Sequence, residues 1–157
     1  MGVIGASLGV LSVGALALTM TFAKKHPNAI GLAFAQVMVW SSTMIAQRLL
    51  LHPASDALNP VVDVLLASYV AWRWWKDREG YVLVFLGLLV LQGWWHVDYF
   101  SRDAGRENVY NYLAGLNLTF VAQTLCAAWP GLTDVASRIG DYMRGHGLGH
   151  LHVGRSQ

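Results

Sequence analysis

The chain has 157 residues, 55% hydrophobic and 13% charged, with a formal net charge of +2. Soluble domains carry roughly 25% charged residues, so about half the usual charge is missing, and what remains sits in short clusters between long apolar runs. That distribution points to a polytopic membrane protein. So small a net charge gives no electrostatic basis for a nucleic-acid partner, and the single cysteine, Cys126, excludes an intrachain disulfide.

A bilayer core takes roughly 20 helical residues, and five segments qualify. The first, Gly2–Ala23, contains no charged side chain. "TFA" before Lys24 has the small residues of a signal cleavage site, but only the α-amino group supplies positive charge ahead of the run, which is also too long for a signal core. It therefore reads as a retained helix, with Gly5, Gly9 and Ser12 forming a small-residue face for close helix contact. The second segment, Ala29–Leu51, follows "KKHPN" and carries Gln36, Trp40 and Arg48. The third, Asn59–Trp75, is short, with Asn59 expected as N-cap and Pro60 at the first helical position. Spanning would then need local thinning or snorkelling. The fourth, Tyr81–Phe100, runs into "LQGWWHVDYFSRD", and the fifth is Asn108–Trp129.

The short polar links between segments force antiparallel neighbours. Beyond Trp129, "PGLTDVASRIGDYMRG" places Leu132, Val135, Ile139, Tyr142 and Met143 at helical spacing, opposite Asp134, Arg138, Asp141 and Arg144. This pattern fits a short amphipathic helix on the inner membrane surface or against the end of the bundle. The expected fold is all-α: a five-span transmembrane bundle over residues 1–130, then a cytoplasmic amphipathic helix and a flexible histidine-containing tail over 131–157.

Alternate sides of this topology differ in charge. One holds Lys24, Lys25, Arg73, Lys76, Arg78, Arg138, Arg144 and Arg155; the other holds Arg48, Arg102 and Arg106. The positive-inside rule then places the N-terminus outside and the C-terminus in the cytoplasm of a bacterial-type inner membrane. Trp94, Trp95, Tyr99, Phe100, Tyr110 and Tyr112 fall at the outer interface, and Trp72, Trp74, Trp75, Tyr81 and Trp129 at the inner one. Amphipathic rings anchor at both levels.

Four ionisable residues lie toward the outer face: Arg48, Asp63, His96 and Asp98. Charge within a span is costly and often marks function. His96 and Asp98 are about 200° apart around a helix, so only one can face the bundle. His96 shares its face with the deeper Gln92, and is expected to turn inward toward Asp63 or Arg48, leaving Asp98 to a loop or water. Gln36, Gln92, Asn117 and Gln123 must find interhelical hydrogen bonds away from water.

The histidines of "HGLGHLH" (His146, His150, His152) suggest a divalent metal, but the glycines among them read as a mobile tail. A bis-histidine haem would need facing histidines within spans, and only His96 is near one. No metal or cofactor is assigned, and neither Walker, HExxH, CxxC nor dinucleotide fingerprints occur. The expected function is a small non-enzymatic membrane protein acting through helix contacts, within an oligomer or with other membrane subunits. A phage-encoded membrane or lysis protein fits the same description. The alternatives are a small transporter or channel using the outer polar cluster and, more weakly, a redox or enzyme subunit.

Overall fold

The computed structural model describes residues 2–49, 54–102 and 106–145, with side chains over 7–45, 59–102 and 109–144. Five α-helices make up this all-α fold: α1 (Gly2–Phe22), α2 (Pro27–Leu49), α3 (Ala54–Asp77), α4 (Gly80–Ser101) and α5 (Arg106–Gly145). Among the described residues there is no strand. Each helix packs on its chain neighbour, α1 closes on α5, and α2 also touches α5. Helices α2, α3, α4 and α5 thus surround one interior, with α1 laid into the α2–α5 groove. Among the described residues, two helical stretches, Pro27–Ile45 and Gly80–Ser101, are long and apolar enough to cross a membrane.

Local chemistry fixes the helix ends. Pro27 opens α2, where a missing N–H costs nothing, and the preceding turn is closed by His26 N–H donating to the Ala23 carbonyl at 2.8 Å. After α3 the chain reverses through Arg78 at φ 56, the left-handed position usually given to glycine. Its N–H donates to the Trp74 carbonyl at 2.8 Å, and its guanidinium lies over the rings of Trp74 (4.6 Å) and Trp75 (4.5 Å). Such a cation–π contact contributes about 0.5–2 kcal/mol, comparable to the roughly 1–2 kcal/mol that a Cβ costs in this conformation.

Two boundaries differ from expectation, both at prolines. Helix α3 begins at Ala54, not at Asn59, and Pro60 lies inside it. Pro60 falls in the second turn, so only the bond to the carbonyl of residue 56 is lost. Asn59 is no N-cap; its Oδ1 instead accepts a long hydrogen bond from the Thr43 hydroxyl on α2, at 3.4 Å. Helix α5 likewise continues past Trp129, through Pro130, into the stretch expected to form a separate amphipathic helix. Its packing on α1 opposes a break there. A Cβ on Gly131 would stand 2.8 Å from Leu18, and Arg138 lies over the Phe22 ring at 5.6 Å. The tail histidines His146, His150 and His152 lie outside the described residues.

The interior is layered. Leu32 and Ala33 of α2, Leu66 and Val70 of α3, Phe85 of α4 and Ala127 of α5 belong to an apolar cluster in the half nearest the α3–α4 turn. Lys24, Lys25, Arg73, Lys76 and Arg78 lie at that end of the bundle, called here the cationic end. A polar knot closes it. The buried Asn28 side chain accepts from Arg73 and donates to Asp77 and Glu79, and Glu79 also accepts the Tyr81 hydroxyl at 2.8 Å. The outward surface is apolar on every helix, with Val10 and Met20, Phe34 and Met38, Val64 and Leu65, Val90 and Val97, and Leu118 and Leu125 all exposed.

Glycine admits tryptophan at two seams. Cβ atoms built on Gly9 and Gly115 would stand 2.2 and 2.5 Å from the rings of Trp40 and Trp95. Gly9 thus serves a ring from α2, while Gly5 lies outside the described side chains. Gly115→Ala is expected to lower stability by about 1–3 kcal/mol through overpacking. Gly87→Ala, with nothing within 4 Å of the new methyl, should raise it by up to about 1 kcal/mol. Thermal unfolding of the two purified variants checks both, and equal midpoints would mean that the α4–α5 seam is loosely packed.

Candidate functional site

The buried face of α4 is set by its sequence. Val82, Phe85, Leu89, Gln92 and His96 recur three or four residues apart and are its buried residues. Apolar groups occupy the cationic half of that stripe and polar groups the other. At 1.5 Å per residue, Gln92 lies about 18 Å and His96 about 24 Å from the start of the helix. At this level every helix of the surrounding four contributes a polar side chain.

Those side chains form one hydrogen-bonded chain. Gln36 Nε2 (α2) donates to Gln123 Oε1 (α5) at 2.9 Å, and Gln123 Nε2 donates to Gln92 Oε1 (α4) at 2.9 Å. Gln92 Nε2 donates to Asp63 Oδ2 (α3) at 2.6 Å. From the other side His96 Nε2 meets the same carboxylate oxygen at 2.8 Å, and the Tyr112 hydroxyl (α5) meets His96 Nδ1 at 2.7 Å. Asp63 and His96 are 6% and 4% exposed, so water contributes little to their solvation.

The directions of these bonds follow from one group. An ionised carboxylate only accepts, so Gln92 must present its amide nitrogen to Asp63 and its oxygen to Gln123. Gln123 must then present its nitrogen to Gln92, and Gln36 its nitrogen to Gln123. On the other arm, a hydrogen on Nε2 donated to Asp63 leaves Nδ1 of a neutral imidazole to accept from Tyr112. Both arms deliver donors toward Asp63, an arrangement in which successive bonds polarise one another. The series ends at Gln36, whose Oε1 is buried without a hydrogen-bond partner. An unpaired buried acceptor costs about 1–3 kcal/mol.

The chain opens toward the surface at Tyr112. A cleft of about 450 Å³ lies along the α4–α5 seam, between Trp95, Asp98 and Tyr99 of α4 with Arg102 just past its end, and Asn111, Tyr112, Gly115 and Leu118 of α5. Tyr112 stacks on Tyr99 with centroids 4.2 Å apart and touches the His96 ring edge-on. It is the residue shared by the buried chain and the cleft.

Of the residues singled out from sequence, Asp63, His96, Gln36, Gln92 and Gln123 come together. His96 faces the bundle. Asp98 turns away and pairs with Arg102 at 2.6 Å, one helical turn on. Asn117 is half-buried and outside the chain, and the side chain of Arg48 lies outside the described residues. Trp94, Phe100, Tyr110, Trp72, Trp75 and Trp129 are exposed near the two ends, as anchoring rings would be. Tyr112 is not: it is 8% exposed and belongs to the site rather than to the aromatic belt. Its spacing carried the signal, since it precedes Gln123 by about three full turns and so shares its face.

Among the described residues no three His, Cys, Asp or Glu side chains converge as metal ligands. Asp63 and His96 supply two donors, fewer than the tetrahedral or three-plus-water sets of zinc sites. What the arrangement can do is hold and pass protons. No family model matches the chain, and neither a curated protein nor a solved structure matches it.

Removing the common acceptor should matter most. Asp63→Ala strands the Gln92 amide and His96 ring donors and is expected to cost about 2–5 kcal/mol. Asp98→Asn loses only a partly exposed i,i+4 pair and should stay within about 0.5 kcal/mol of the parent. Unfolding midpoints measured side by side decide, and comparable losses in both would remove Asp63 from the centre of the site.

Proposed function

We propose that the chain is a five-span integral protein of a bacterial-type inner membrane, non-enzymatic and of the small-transporter class, whose interior exchanges protons with the outer side. The observation that carries the reading is the buried Asp63–His96–Tyr112 series. Three titratable groups in direct hydrogen-bond contact lie inside a bundle whose outer surface is apolar on all five helices. Ionisable groups at such depth in a membrane bundle mark proton or ion pathways by default. A surface rich in Val, Leu, Phe and Trp around a core of glutamines is the distribution that lipid, not water, stabilises.

The proton steps balance locally. A proton arriving at the Tyr112 oxygen allows its own hydrogen to pass to His96 Nδ1, giving an imidazolium that still donates through Nε2 to Asp63. The phenol returns to neutrality without crossing a phenolate. Toward the cationic end the route meets the apolar cluster of Leu32, Val70, Val82 and Phe85. Transport on this reading therefore requires that half of the bundle to open in turn.

The test uses the intact protein in liposomes that enclose a pH-sensitive dye, with an imposed membrane potential. The parent is expected to move protons, and Asp63→Asn and His96→Phe are each expected to reduce the flux at least tenfold. No flux in the parent, or unchanged flux in both variants, overturns the reading. Orientation is read separately. A phosphatase active only outside should be silent when fused after Gln157 and active within residues 101–107, and the reverse pattern would put the His96 end in the cytoplasm.

The subunit reading keeps one observation in its favour. The last part of α5 leaves Leu132, Ile139 and Met143 exposed on a stretch that also carries Asp141 and Arg144. A second copy or another membrane subunit seated there would make this protein an accessory part of a complex, and co-purification without crosslinker would reveal it.

A further inference from the structure

We infer that the α4–α5 cleft is a binding site for a single phospholipid with a zwitterionic, primary-ammonium headgroup; this rests on the membrane reading above. The cleft is graded along the bundle axis. At its end nearest the α4–α5 connection, Asp98 and Arg102 offer one charge of each sign, held 2.6 Å apart, and Asn111 adds an amide. Trp95 and Tyr99 form the middle of its α4 wall. Deeper, about two turns beyond Asn111, Leu118 is 70% exposed.

The apolar track continues past the cleft. Leu91 precedes Trp95 by one turn on α4, Leu125 follows Leu118 by two turns on α5, and both are exposed on the same sides of the seam. Charge at the membrane surface, aromatic rings at the headgroup boundary and leucines below reproduce the order of groups along one lipid. The charge pattern selects the headgroup. A purely anionic headgroup would meet Asp98 unfavourably, and a trimethylated ammonium has no N–H for the carboxylate. A primary ammonium donates to Asp98, while its phosphodiester accepts from Arg102. Bound there, the headgroup lies over Tyr112 and controls access of water to the proton chain.

Native mass spectrometry of the protein extracted from bilayers and offered equimolar phosphatidylethanolamine and phosphatidylglycerol of matched chains tests this. The parent is expected to retain one ethanolamine lipid in preference by on the order of tenfold, the ratio that one charge-assisted hydrogen bond supplies. Asp98→Asn should erase the preference, and Leu118→Asp should weaken retention of both lipids. Soluble phosphoethanolamine should not displace the lipid; if it does so at equal concentration, the site takes the free ester and the lipid assignment falls. Equal retention of both lipids by the parent, or a preference unchanged by Asp98→Asn, also overturns the inference. A protein that stays in solution without bilayer or detergent would instead fail the membrane reading itself.

Discussion

Asp63 holds the interior together because it can only accept. Once one carboxylate is buried among four helices, its lone pairs dictate which atom each neighbouring amide presents. That choice passes from Gln92 to Gln123 to Gln36 without further instruction. Each link joins a different pair of helices, so α2, α3, α4 and α5 are fixed in mutual rotation by a single charge. Apolar packing is tolerant of small rotations; a series of directional bonds is not. Helix α1 supplies none of these groups. It adds a face of Gly9, Ser12, Ala15 and Thr19 to the α2–α5 groove, which suits close approach rather than register.

The layers explain why the charge sits where it does. In the cationic half, Leu32, Val70, Val82 and Phe85 fill the interior by shape, and the knot around Asn28 and Arg73 satisfies the polar groups at the helix ends. In the other half the interior is filled by the hydrogen-bonded side chains of Gln36, Asp63, Gln92, His96, Tyr112 and Gln123. Hydrogen bonds in membrane bundles average about 0.6 kcal/mol each, so this layer's contribution comes from their number and direction. The unpaired Gln36 Oε1 marks the line between the two layers.

Much of this was legible in the sequence, and the gaps have physical causes. Five apolar stretches separated by short polar links gave five helices, and the inward turn of His96 follows from its sharing a stripe with Gln92 and Leu89. The prolines misled at both ends. Pro60 and Pro130 look like boundaries by local propensity, yet tertiary packing carries each helix through. Tyr112 was hidden by composition: a tyrosine near a helix end among other aromatics reads as an interfacial anchor, and only its register with Gln123 sets it apart from the exposed Tyr110. Which glutamine would bond to which was not readable, because the order depends on helix adjacency. The contact between α2 and α5, distant in sequence, is what links Gln36 to Gln123.

The two arms that meet at Asp63 differ in whether they can hold a proton. Both the Gln92 amide and the His96 ring reach one carboxylate oxygen, Oδ2, so a proton on Oδ1 would leave both bonds in place. The imidazole arm can take a proton of its own. His96 gains its second hydrogen on Nδ1, Tyr112 turns its hydroxyl to accept, and every bond to Asp63 survives. The glutamine series has no titratable group of its own and serves only as fixed donors and acceptors. The imidazole and phenol lie toward the cleft and the amides toward the apolar half. The buried chain is thus asymmetric, with an amide arm on one side of Asp63 and an imidazole–phenol arm on the other.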